Sequence, residues 1–364
     1  NAPLKVLRKA IPVPTLNTTE TAWEVNLTTS VELYTIWEES GVLDQLETID
    51  ENLYDVILDI MDEKREDLED WEGAFDAFDR GARARRSTLD FDEQAEIQMY
   101  EAFERIYTRE WFDATMDGFG SKAPIFVVGQ PRTGTTLVER IITAHPDVTS
   151  AGELKQLGNA MRRLSRYSEP QRFSAALVEG ASRVDTKKLG RMYIETSRKM
   201  AGDTPRFVDK LPINFMHIPL ILKALPNAKI VHLRRNPMDA CFAMYKQSFF
   251  RFAYTLDDLA EYYIAYDRLS RHWREHLGDR IVEVEYESLV SDPDARVREL
   301  LAGLGLEFEQ ACVDFHLNSA PSATASAVQI RERAHTRSVA RWKRFEKHLR
   351  PLCERLEQAG IRTG

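Results

Sequence analysis

The sequence predicts an α/β protein, a parallel β-sheet with helices on both faces, preceded by a smaller all-α region. Three observations predict it. Four short runs of β-forming residues (Ile125-Phe126-Val127-Val128, Arg206-Phe207-Val208, Lys229-Ile230-Val231-His232-Leu233 and Ile281-Val282-Glu283-Val284) are separated by long helical segments. That alternation is the pattern of parallel strands joined by helical crossovers. From about Ser30 to Phe112 the apolar spacing is helical, as in Leu53, Val56, Ile57 and Ile60. At Gly118-Phe119-Gly120-Ser121 the composition changes. These features place a helical region at 1–117 and the α/β domain at 118–364, and a chain of 364 residues has the length of about two domains.

The elements follow in order. Residues 1–20 read as an irregular arm, because Pro3, Pro12 and Pro14 forbid a long helix. Trp71, Ala74, Phe78 and Gly81 recur at spacings of three, four and three. They resemble a single tetratricopeptide-like hairpin near 66–85, with an unrelated helical hairpin as the alternative. After Gly118, Ala123-Pro124 leads into the first strand, which ends at Gly129. Ligands of such sheets bind beyond the carboxyl ends of the strands, so the chemistry is expected there.

Charge is divided along the chain. Asp44 to Asp79 holds 15 acidic and 2 basic side chains, a net of −13, so the rest of the chain carries +4 within the total of −9. Arg331 to Arg350 holds 8 basic and 2 acidic side chains. A net negative chain argues against a general nucleic-acid binder. Three scattered cysteines, Cys241, Cys312 and Cys353, form no disulfide framework and no zinc motif. No apolar run reaches the ~18 residues a membrane helix needs. A cytoplasmic location is expected, although the first residue, Asn1, leaves room for a removed leader.

The first strand runs into Gly129-Gln130-Pro131-Arg132-Thr133-Gly134-Thr135-Thr136 and then an apolar helix. This is the spacing of a phosphate loop, so the sheet is of the P-loop type. Glycines let the backbone wrap an anion, and the helix N-terminus adds its N–H groups. Nucleoside triphosphate users carry Lys where Thr135 stands, so the ligand expected here has a terminal anchored phosphate. Arg132 adds a cation. Leu233-Arg234-Arg235-Asn236-Pro237 delivers two arginines to a strand end, Arg234 read as a surface ion pair and Arg235 as a phosphate ligand. Phe207-Val208-Asp209-Lys210 ends another strand, and Asp209 there could hold Mg²⁺ in a kinase-like site.

The loop, followed by His145-Pro146 and Gly152-Glu153, resembles the sulfotransferases that use 3′-phosphoadenosine 5′-phosphosulfate (PAPS), most closely the tyrosylprotein branch and bacterial proteins that join tetratricopeptide repeats to such a domain. The resemblance covers about 118–360 and implies a set of site residues. Arg132, Thr133, Gly134, Thr135 and Thr136 hold the 5′-phosphosulfate. Arg235, Tyr286, Ser326 and Arg331 contact the donor's other parts, with PAP as product and no metal required. Glu153 is the base, His145 being the nearest alternative, and Lys210 faces the leaving oxygen. The family's serine eight residues after Arg235 is Ala243 here, and Arg333 replaces a proline near the late loop.

The acceptor implied is a hydroxyl group, first a tyrosine in an acidic peptide, with a small molecule or glycan as alternatives. Lys155, Arg162, Arg163 and Arg166 would attract such an acid. A homodimer is a further expectation. The rival readings are a P-loop kinase using Asp209, and a non-catalytic helical interaction protein with a degenerate site.

Overall fold

The computed structural model describes residues 70–89, 91–114, 117–169, 174–247, 250–317 and 332–364. The chain divides into two compact units, Asn1–Asp70 and Trp71–Gly364, and the sheet lies in the second. Ser326, Arg331 and most of the acidic stretch lie outside the described residues.

Five parallel strands form one sheet: β1 (Pro124–Gly129), β2 (Val148–Ser150), β3 (Arg206–Asp209), β4 (Lys229–Arg234) and β5 (Ile281–Glu285), in the order β2-β3-β1-β4-β5. The four sequence-predicted strands are β1, β3, β4 and β5. The sequence does not announce β2, because three residues with only Val148 buried carry too little pattern to read.

β1 lies in the middle, and all six of its residues are buried. A strand covered on both faces has no polar side, which explains its continuous apolar run. Its side chains divide by parity, as strand geometry requires. Phe126 and Val128 join the larger core, with Phe207, Ile230 and the helices Glu93–Ile106, Thr186–Ala201, Leu256–Leu277 and Glu346–Gln358. Ile125 and Val127 join the smaller one, with Val138, Ile141, Val231 and Leu301.

The helix Trp71–Ser87 belongs to the larger core. Trp71, Ala74, Phe78 and Gly81 all lie on this one helix, so they do not span a hairpin. Ala74 and Phe78 are buried, and Phe78 meets Phe242 and Phe345 edge-on. Helix starts follow side-chain caps. Asp92, Asp185 and Thr255 each accept a hydrogen bond from an N–H in the first turn after them.

Because every pairing is parallel, the carboxyl ends Gly129, Ser150, Asp209, Arg234 and Glu285 gather at one edge of the sheet. Register sets their alignment: Gly129 is opposite Leu233, Phe126 opposite Asp209 and Ser150 opposite Val208.

Candidate active site

The phosphate loop is built around two glycines. Gly129 has φ +147° and Gly134 φ +99°. A Cβ on Gly129 would stand 2.6 Å from the Leu233 carbonyl oxygen, and one on Gly134 would stand 2.6 Å from the Tyr286 ring. Arg132 also has positive φ, +64°, the kind of local strain that a functional turn retains. The Thr133 hydroxyl closes the loop by donating to the Gln130 carbonyl at 2.7 Å. Thr135 and Thr136 are buried at the start of the helix Thr135–Thr143, and Gly134, its N-cap, supplies no side-chain cap. The leading N–H groups of this helix have no partner within the helix, an arrangement that suits an anion.

Arg235 leaves β4 and reaches this loop. Its Nη1 donates to the Arg132 carbonyl at 2.8 Å, and its Nη2 to the Ser338 carbonyl at 2.6 Å. Its guanidinium lies over the Tyr286 ring, 4.8 Å from the centroid. Tyr286 begins the helix Tyr286–Ser291 directly after β5. The expected donor residues Arg132, Gly134, Arg235 and Tyr286 therefore converge from β1, β4 and β5. Arg234 instead turns to Glu283, 3.7 Å away, in keeping with the surface ion pair read from the sequence.

The residues after Arg235 hold the late segment of the chain. The Asn236 side-chain amide donates to the Thr363 carbonyl at 2.8 Å. The buried Asp239 carboxylate accepts from the N–H groups of Ala340 at 2.6 Å and Trp342 at 3.0 Å. In this way the stretch around Ser338 is fixed beside Arg235.

Glu153 and Lys210, 57 positions apart, meet as an ion pair. The Lys210 side chain is 2% exposed and that of Glu153 50%. A buried lysine needs such a partner, since an isolated charge in the interior is costly. Asp209, the residue before Lys210, is fully buried. Its oxygens accept from the Tyr193 hydroxyl at 2.8 Å and the Leu154 N–H at 3.4 Å. Burial pushes the Asp209 carboxyl up to about 7, against the pull of the Tyr193 hydrogen bond. Glu139, on the loop helix, is also raised by burial, opposed by a 2.6 Å bond from the Ser150 hydroxyl and by the charge of Lys210.

His145 is buried and ends the loop helix. Its N–H donates to the Ile142 carbonyl at 3.2 Å, and its Nδ1 accepts from the Asp147 N–H at 3.1 Å. It has the structural role of a helix stop. Sequence reasoning assigns no role to Glu139 or Ser150. The signal that points to Glu139 is an acidic residue inside the apolar run of the loop helix.

The fold and loop define a class, the parallel α/β proteins with a phosphate loop. The chain belongs to the sulfotransferase family, whose family profile matches residues 124–310. It is similar to an uncharacterized protein of Aquifex aeolicus (strain VF5), 32% identical over 305 residues, covering 80% of this chain and 40% of that protein. It is also similar to the protein-tyrosine sulfotransferase of Drosophila melanogaster, 24% identical over 193 residues, covering 51% of this chain and 39% of that one. The chain thus spans about two fifths of the length of each of these relatives. Among solved structures, the sulfotransferase domain of the Synechococcus PCC 7002 olefin synthase is 18% identical, covers 62% of this chain and 89% of that chain, and has a TM-score of 0.44.

Proposed function

We propose that the protein transfers a sulfuryl group from PAPS to an acceptor hydroxyl, with a tyrosine in an acidic peptide as the first acceptor class and no obligatory metal. The observation that carries this reading is the Glu153–Lys210 pair at the carboxyl edge of the sheet, the edge at which the phosphate loop leaves β1.

The residues present fit a donor with two separate terminal phosphates. The loop and its helix N-terminus suit one. Arg235, whose buried Nε has no hydrogen-bond partner among the described residues, suits the other. The donor supplies the sulfuryl group. Glu153, half exposed at the carboxyl edge, accepts the acceptor's hydroxyl proton. Lys210 donates toward the oxygen on which negative charge builds as the sulfuryl leaves. Arg132 and the loop N–H groups hold the anchored phosphate in place. Lys155, Arg163 and Arg166 lie just beyond Glu153 in the chain, and their charge suits an acidic acceptor. A kinase-like role for Asp209 gains no support from its geometry, since it is buried and both its oxygens accept hydrogen bonds.

Calorimetric titration with PAP tests the donor assignment. Stoichiometric binding, stronger than that of ATP with Mg²⁺, is expected; the reverse order of affinities would overturn the donor assignment and restore the kinase reading.

A further inference from the structure

We propose that Glu139 and Ser150 are positioning residues that fix the base Glu153 relative to the phosphate loop. This inference rests on the reading of Glu153 as the base.

Glu153 sits on a short turn between β2 and the helix Gln156–Ser165. The residue before it, Gly152, has φ +70°. Ala151 and Leu154 pack against the larger core, but nothing stands within 4 Å of where a Gly152 Cβ would be. Hydrogen bonds hold the backbone there. The Gly152 N–H donates to the Ser150 hydroxyl oxygen at 3.1 Å, and the Ser150 hydroxyl donates to Glu139 Oε1 at 2.6 Å. On the other side, the Leu154 N–H donates to Asp209. The Gly152 carbonyl accepts from the Lys210 N–H at 3.0 Å.

The half-exposed base therefore stands on a backbone held from both flanks by carboxylates that are themselves buried. Glu139 is the informative one. It lies on the helix that begins at Thr135, in the phosphate loop. The Glu139–Ser150–Gly152 chain thus ties the base-bearing turn to the same rigid element that anchors the donor. A carboxylate buried beside an apolar core is costly to keep. Here it is spent on the Ser150 hydroxyl, the group that holds this turn. Positioning of this kind matters because a misplacement of about 1 Å between reacting groups costs about 100-fold in rate.

The test compares Glu139→Ala, Glu139→Gln and Ser150→Ala with the wild type, with Glu153→Gln as a reference. The acceptor is whichever of an acidic tyrosine peptide, a simple phenol or an oligosaccharide the wild type sulfates fastest. Three quantities are measured: kcat, the KM for PAPS, and the Kd for PAP by calorimetry. Glu139→Ala and Ser150→Ala are expected to lower kcat by about 10- to 100-fold, with the KM for PAPS and the Kd for PAP within about twofold of wild type, a shift too small to signal a lost contact. Glu139→Gln keeps an oxygen that accepts from Ser150, and should regain about tenfold of the loss, the worth of one restored hydrogen bond. Ser150→Ala is the milder change and covers the case in which Glu139→Ala does not fold.

Wild-type kcat in both alanine variants, with Glu153→Gln inactive, would overturn the positioning role alone. A kcat loss matched by an equal loss of PAP affinity, with no recovery in Glu139→Gln, would also overturn it. Wild-type kcat in Glu153→Gln would overturn the base assignment and this inference with it.

Discussion

Replacing Asp209 with Asn should flatten the pH dependence of the protein's stability. In the folded chain this carboxyl is pushed up to about 7 by burial, from an ordinary value of 3.8. A carboxyl raised on folding binds its proton more tightly in the folded state. Its contribution is therefore fully present below about pH 4 and is lost as pH rises through about 7. Three pH units at about 1.36 kcal/mol each give a total near 4 kcal/mol. Between pH 5 and pH 8 the loss is about 2–3 kcal/mol, because part has already occurred by pH 5. Asn cannot ionise, yet its carbonyl oxygen still accepts from Tyr193 or Leu154. Urea unfolding of the wild type and Asp209→Asn, stepped from pH 5 to pH 8, reads the difference directly. The wild type should lose about 2–3 kcal/mol relative to the variant across that range. A difference that stays constant would show that Asp209 does not titrate there. That constant difference, which an unshifted or a depressed carboxyl would give over this range, or a wild type that gains on the variant as pH rises, would refute the reasoning.

Two further outcomes concern the loop. Gly134→Ala places a Cβ at φ +99°, 2.6 Å from the Tyr286 ring; it should cost about 1–3 kcal/mol in thermal or urea stability and abolish PAP binding in calorimetry. Arg235→Lys keeps the charge but cannot reach the Arg132 and Ser338 carbonyls and a phosphate together, so PAP affinity should fall by about 10- to 100-fold; unchanged affinity would remove Arg235 from the donor site.

Much of the sheet is legible in the sequence because β1 and β4 are buried on both faces and so are written as runs rich in Val, Ile, Leu and Phe. The loop is legible because its two glycines answer a local need, positive φ, that spacing exposes. β2 is not, since a three-residue strand leaves no period to count. The Trp71 to Gly81 pattern reads as a hairpin because a spacing of three and four marks a helix face but not what packs on it. That face meets Phe242 and Phe345, far away in sequence.

The site divides in the same way. Glu153 and Lys210 are readable only from motif order, because no local signal links residues 57 apart. Arg235 reads as a phosphate ligand from its place at a strand end; that it also ties the loop to Ser338 depends on tertiary contacts. Glu139 and Ser150 look like an ordinary helix charge and an ordinary strand-end hydroxyl, and only their 2.6 Å contact marks them. Ser326 and Arg331 stay expectations, lying outside the described residues.

The most direct test of the central claim is transfer of labelled sulfuryl from PAPS to the fastest acceptor by the wild type, Glu153→Gln and Lys210→Ala, with PAP binding measured on the same preparations. Each variant is expected to lose about 100-fold or more in turnover while still binding PAP. Wild-type turnover in both would contradict the account.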